Sequence, residues 1–492
     1  MRRGLRTAAA AAVAVIAVAL LALVLVAAFG DAAVTAARFA TNRDDHTALR
    51  AFLRRMPKGA DLHVHLSGAV YAEDMIAWAK AKDLCVRLAD MTLVPPPCDP
   101  DKAPPVAKAL TDQNLYDDIV NALSVRFFVP SAATPAAHDQ FFAAFIKFGE
   151  LTWRIAAEMT AERLKHYATD AVQHTELMVS FFSGQQRARL IAAMEGETDP
   201  AARLAALEAG GLDAVIADVR KQIAELTAKV EAELACDPAR TRPGCSVSYR
   251  YIAQVNRNSR PEDVFVQTAL AAALIRAEPR VAGLNFVGPE DYRIAREDYR
   301  AHMAMIGLLA KDVPVALHAG ELWLGLVPPG DLTFHIRAAI EVAGARRIGH
   351  GVALAFERRS DEVLAEMRKK SVVVEINLTS NDLILNVRGK DHPLPAYRAA
   401  GVPLVLSTDD AGVSRIDLTN EFFRAARDYR LGYRELKAMA RNSLTYSFLG
   451  DTDKQAALER FDRSVAEFER AVADERSVFG NMAVLTRGLF AR

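Results

Sequence analysis

Seven side chains in this chain have the types and spacing to do chemistry together. His63 and His65 stand one residue apart in Leu62-His63-Val64-His65, and His318 precedes Glu321 by three residues in His318-Ala319-Gly320-Glu321. His350 lies between Gly349 and Gly351, and Asp409 and Asp410 are adjacent. On a strand, residues i and i+2 point to the same side, so one metal ion can take both His63 and His65. Three imidazoles and one carboxylate form a nitrogen and oxygen site suited to zinc, with a place left for water. Zinc lowers the pKa of such a water to roughly 7, which makes a hydroxide nucleophile available at neutral pH. Glu321 is placed to give or take a proton over a substrate. His350 fits a position beside the metal, orienting the water and offsetting charge on the attacking oxygen. Its flanking glycines let backbone and substrate approach closely. The paired aspartates divide the work, one binding metal and its neighbour accepting a hydrogen bond from substrate.

These residues need a frame that brings distant segments together. Val313-Pro314-Val315-Ala316-Leu317 is a short apolar run, the pattern of a strand buried on both faces, and it delivers His318 and Glu321 just past its end. Similar runs occur at about 60–65, 171–180, 246–255, 281–287, 347–352, 372–378 and 402–407. Helical patterns separate these eight segments, so the expected fold class is α/β, a (β/α)8 barrel with extra helices. The polar clusters fall at the carboxyl ends of the strands, the face where such barrels carry their chemistry. His174 and Glu176 share a face of the second strand and line either a pocket or the polar interior of the barrel. The expected organisation is a leader over 1–30, a lead-in helix over 31–55, and the barrel over about 56–480. A helical insertion at about 185–245 is expected to be split into two helices by Gly210-Gly211.

The chain has 492 residues, 61 basic and 61 acidic, so no surplus of positive charge points to nucleic acid and no acidic excess to a disordered arm. Arg2, Arg3 and Arg6 precede an apolar run from Ala8 to Phe29. That pattern reads as a signal peptide, cleaved near Ala28-Phe29-Gly30, or as an uncleaved membrane tether. Either places residue 31 onward outside the cytoplasm. The four cysteines, Cys85, Cys98, Cys236 and Cys245, fall as two local pairs without a C-x-x-C. The simplest connectivity is Cys85–Cys98 and Cys236–Cys245.

The segments MPKGADLHVHLSGA, LHAGE, RIGHG, EINLTSN and LSTDD, in that order from about residue 50 to 450, resemble the adenosine deaminase family of metal-dependent hydrolases. Trp323 and Gly325 after HAGE, together with the leader, resemble its secreted branch, the adenosine deaminase-related growth factors. The resemblance implies one zinc per chain, bound by His63, His65, His318 and Asp409. It implies Glu321 as the acid that protonates purine N1, and His350 as the residue orienting the zinc hydroxide. Asp410 and the backbone at Gly288 become purine contacts. The expected substrate is a purine nucleoside, adenosine and deoxyadenosine, converted to the 6-oxo product and ammonia. Ser67 stands where the cytosolic enzymes carry an acid that holds the ribose, and Asn285 where an aspartate is common. The fourth strand, VAGLNFV, lacks the lysine that two-metal relatives carboxylate, which favours a single metal. Two other functions fit the same residues: hydrolysis of another aminopurine or amide, and a growth-factor-like binding protein that keeps the barrel without catalysis. The complete set of ligands and acid favours catalysis.

Overall fold

A computed structural model describes residues 30–132 and 134–475; the apolar run over Ala8–Phe29 lies outside them. Eight strands form the centre: β1 (Gly59–His65), β2 (Val172–Val179), β3 (Ser248–Asn256), β4 (Val281–Val287), β5 (Ala316–Ala319), β6 (Arg347–His350), β7 (Val373–Ile376) and β8 (Leu404–Leu406). They pair in parallel as two four-stranded sheets in chain order, β1 to β4 and β5 to β8. Single parallel bridges join the sheets at both seams, Leu284 with Val315 and Val64 with Asp409. Helices cover the outside, as the continuous apolar character of the strands requires, and the fold is the expected (β/α)8 barrel.

The seam between β8 and β1 positions the site. His65 N donates to Asp409 O at 3.1 Å, and Asp409 N donates to His63 O at 2.9 Å. Strand β1 also carries one extra residue against β2, because Asp61 pairs with Thr175 but Val64 pairs with Leu177. Such a bulge re-aims side chains. Asp61 consequently turns to the helix Ala156–Thr169, accepting from Tyr167 Oη at 2.9 Å, while His63 and His65 face the barrel mouth.

Local expectations are refined at two places. Residues 31–55 form two helices, 30–42 and His46–Arg55, because the Asp45 side chain caps the second by accepting from Thr47 N and Ala48 N. The insertion holds three helices, Gly184–Ala193, Pro200–Ala209 and Leu212–Leu234. The unexpected break comes at Asp199-Pro200, where an aspartate N-cap precedes a proline at the first helical position. Thr379-Ser380-Asn381 lie in the helix Leu378–Leu385. Disulfides join Cys85 to Cys98 and Cys236 to Cys245. Among the described residues no helix is long and apolar enough to cross a membrane.

Candidate metal centre and active site

Four ligand atoms converge at the mouth of the barrel. His318 Nε2 lies 3.0 Å from His63 Nε2 and 3.1 Å from His65 Nε2. Asp409 Oδ1 lies 3.5 Å from His63 Nε2 and 3.4 Å from His65 Nε2. A tetrahedral site with bonds near 2.0–2.1 Å has edges of about 3.3 Å, so these separations fit one metal ion. Asp409 Oδ1 is buried without a hydrogen-bond partner, as an atom reserved for a cation would be. His350 approaches from the other side, its Nε2 3.8 Å from Asp409 Oδ2. Ligand atoms of His63, His318, His350 and Asp409 all lie within 4.8 Å of one another.

Each imidazole has its far nitrogen held, which fixes its orientation. His63 Nδ1 meets Glu375 Oε2 at 2.6 Å. His318 Nδ1 donates to Asn285 Oδ1 at 2.9 Å, and the same oxygen accepts from His318 N at 3.1 Å. His65 Nδ1 lies 2.8 Å from the side-chain amide of Gln254. His350 Nδ1 accepts from Asn381 Nδ2 at 2.8 Å, which leaves its hydrogen on Nε2. Burial opposes the charged form of His63, but Asp409 and Glu375 outweigh it and raise the imidazole to about 10. A positive charge is therefore favoured at this point, and a metal cation can take the place of that proton. Burial instead lowers His65 to about 4 and His350 to about 3, and holds His318 well below its usual value, so these rings are neutral donors of electron pairs.

The carboxyls of Glu321 and Asp410 are shifted in the opposite direction. Burial, reinforced by Asp409, pushes Glu321 well above the usual carboxylate range and leaves Oε1 without a partner. Burial and the same neighbour push Asp410 up as well. Glu321 sits on a turn clamped by Glu290, which accepts from Gly320 N at 3.0 Å, from Glu321 N at 2.9 Å and from His335 Nδ1 at 2.6 Å. Burial works against the Glu290 charge, but His335 and Arg257 hold its carboxyl below the usual range.

A cavity of about 390 Å³ opens over this floor, lined by His65, His318, Glu321, Asp409 and Asp410 below. Ser67 and Gly288 also line it. The fold therefore brings all the expected residues to one place, with His63 and His350 fully buried and outside the cavity wall. The glycines beside His350 serve packing rather than substrate: a Cβ at Gly349 would lie 2.4 Å from His63 Cε1, and one at Gly351 would lie 2.5 Å from Tyr397 Oη. His174 and Glu176 do not line the cavity. They are buried in the barrel interior, where Glu176 Oε2 meets Arg347 Nη1 at 2.5 Å and Arg347 Nε faces Glu375 Oε1 at 2.7 Å. That chain of charges ends on His63.

Sequence patterns alone do not single out Glu375, Gln254, Glu290, Asn381 or the aromatic side of the cavity. A signal existed for two polar residues, since Glu375 and Asn285 each interrupt an otherwise apolar strand, whereas Gln254 shares its strand with Ser248, Arg250 and Asn256. Glu290 lies in a loop and carries no such mark.

A (β/α)8 barrel with three imidazoles, a carboxylate and a buried acid at its mouth defines a metal-dependent hydrolase class. A family model described as adenosine deaminase matches residues 150–464, and the chain belongs to that family. Adenosine deaminase 2 of Sus scrofa is 30% identical over 260 residues, 50% of this chain and 49% of the relative. The chain thus spans about half the length of that relative, and 42% of an Enterococcus faecalis adenosine deaminase to which it is 33% identical over 153 residues. Aminodeoxyfutalosine deaminase of Streptomyces coelicolor is 26% identical over 425 residues, 85% of this chain and 87% of the relative. The fold matches the apo N6-methyl-AMP deaminase of Arabidopsis thaliana with a TM-score of 0.54 at 19% identity, covering 85% of this chain and 99% of that one.

Proposed function

We propose that the protein is a zinc-dependent deaminase of adenosine and deoxyadenosine. The observation that carries this reading is the convergence of His63, His65, His318 and Asp409 beneath a cavity into which a buried, proton-holding Glu321 opens. We assign the metal to these four residues, with His350 beside them, because the shorter separations involve His65. The chemistry that zinc supplies when bound is activation of a water as nucleophile at neutral pH. Glu321, held in its acid form by burial, donates a proton to purine N1, which draws electron density from C6. His350, neutral and carrying its hydrogen on Nε2, orients the attacking water. Asp410 and the backbone at Gly288 hold the purine edge, and Ser67 reaches the sugar. Water adds at C6, the C6–N bond breaks, and ammonia leaves with the 6-oxo purine as product. Preorganised groups of this kind lower the barrier because they need no reorganisation as charge develops.

The expected assay result is loss of the adenosine absorbance band on adding the purified, metal-loaded chain, abolished by chelation. Glu321→Ala should lose most turnover while keeping its metal; an active variant would sink the mechanism. The Streptomyces coelicolor aminodeoxyfutalosine deaminase, aligned along most of the chain, supports a second reading in which another aminopurine is the substrate. We further propose that the protein acts outside the cytoplasm. Its two disulfides support this, since such bonds persist in oxidising compartments, and so does the arginine-preceded apolar run at Ala8–Phe29. Fractionation of cells with an antibody to the chain tests this, and recovery in the cytoplasm would overturn it.

A further inference from the structure

The floor of the cavity decides which end of a purine faces outward. With C6 over His65, His318 and Asp409, the sugar on N9 points to the mouth, because C6 and N9 lie at opposite ends of the bicycle. The 5′ carbon of the sugar is then the outermost part of the substrate. One side of the cavity is built by Phe141, Phe142, Phe145 and Ile146, all from the helix Ala137–Thr152, with Tyr292 facing Phe142 at 6.5 Å between ring centroids. Ile146 and Tyr292 are 77% and 47% exposed, so this apolar side reaches the rim. The polar groups toward the mouth are uncharged: Ser180, Asn256 and Asn258. Among the described residues no lysine or arginine lines the cavity, and the only formally charged lining side chains, apart from histidine, are the acids Glu321, Asp409 and Asp410.

A phosphate monoester carries about −1.5 to −2 charges at pH 7 and is normally met by Arg, Lys or a helix N-terminus. At the mouth it would face aromatic rings and neutral polar groups, with the acids on the floor below and no cation among the described lining residues. An apolar substituent at the same carbon would bury its surface against phenylalanines, and a thioether sulfur is favoured beside aromatic edges. We infer that the pocket selects uncharged adenine nucleosides, and that its helix-borne aromatic side accepts an alkyl or thioether group on the 5′ carbon in preference to a phosphate. The inference rests on the deaminase reading above and refines its substrate class. The reaction is unchanged: water adds at C6 and ammonia leaves, and the 5′ group takes no part.

The test compares initial rates of the full, zinc-loaded chain on adenosine, 5′-deoxy-5′-methylthioadenosine and AMP. The expected result is a kcat/KM for the thioether at or above that for adenosine, and one for AMP at least about 100-fold below it. An added methylene-sized group in an apolar pocket is worth about tenfold or more, so Phe145→Ala should lower kcat/KM for the thioether about tenfold, a larger loss than for adenosine. Phe145→Leu should restore part of it. A thioether poorer than adenosine overturns the assignment of the aromatic side, and AMP turned over within 100-fold of adenosine overturns the exclusion of phosphate. Both outcomes leave the deaminase reading standing. Failure on all three compounds, in protein that holds its metal, overturns that reading and this inference together. The wild-type series decides the matter even if the Phe145 variants do not fold.

Discussion

Glu290 offers a sharp test of how the turn that bears Glu321 is held. Its carboxylate uses Oε1 for Gly320 N and His335 Nδ1 and Oε2 for Glu321 N, and Arg257 Nη1 stands 3.6 Å from Oε2. Glu290→Gln keeps the shape but leaves one oxygen and an NH2. Whichever way the amide turns, a backbone N–H of the turn faces another donor. A hydrogen bond to a charged acceptor is worth about 1.5–3 kcal/mol. The buried Arg257 also loses an anionic neighbour, a change that costs about 3–5 kcal/mol when a buried pair is fully broken. Arg257 keeps its bond to His318 O at 3.2 Å, so a total loss of about 3 kcal/mol is expected. In a chain of this size each kcal/mol moves Tm by about 2 °C or less, so the fall should be about 5 °C. Catalysis should suffer more than stability, because a displacement near 1 Å of a catalytic group costs about 100-fold. We expect kcat for adenosine to fall between about 10-fold and 100-fold, with KM and bound zinc little changed. The assays are steady-state kinetics, metal content and thermal unfolding on the same preparation. A kcat within twofold of wild type, with Tm lowered as worked, would refute the idea that Glu290 positions Glu321.

Three further outcomes follow from the same geometry. Glu375→Gln weakens the partner of His63 Nδ1 and should lower zinc affinity about 10- to 100-fold in a chelator competition; unchanged affinity would separate that contact from the metal. Gly68→Ala places a Cβ 1.9 Å from Asp410 Oδ1. It should therefore cost at least tenfold in kcat/KM with zinc retained, and an unimpaired variant would free Asp410 from its assigned contact. Burial pushes the Glu357 carboxyl up from 4.5 to about 7 although it accepts from Ile336 N at 2.6 Å. Because the folded state holds this proton more tightly than the unfolded chain, stability is lost as pH rises from about 4.5 to 7, by up to about 3 kcal/mol. Glu357→Gln removes that loss, so its Tm relative to wild type should rise between pH 5 and pH 8; a constant difference would be the contrary result.

The sequence by itself determined the fold class and the identities of the chemical groups. Eight apolar runs of strand length, separated by helical periodicity, specify a parallel barrel because each strand must be buried on both faces. His63, His65, His318, Glu321, His350, Asp409 and Asp410 are legible because polar residues at the ends of such runs have no packing reason to be there. Tertiary structure decided what those groups can do. Asp61, His63 and His65 alternate in sequence and would share one side of a regular strand; only the bulge against β2 sends Asp61 outward and the histidines inward. The glycines around His350 look like space for substrate, and only the packed structure shows the His63 ring and Tyr397 filling it. Glu290, 31 residues from Glu321 in the chain, holds the turn that bears Glu321, and Asn285, Gln254 and Glu375 hold the imidazoles of His318, His65 and His63 from three other strands. Likewise the aromatic helix Ala137–Thr152 reads as an ordinary amphipathic segment until it is seen against the cavity. Strand periodicity records which side chains must be buried, whereas hydrogen bonds between distant strands and the burial that tunes Glu321 exist only once the barrel has closed.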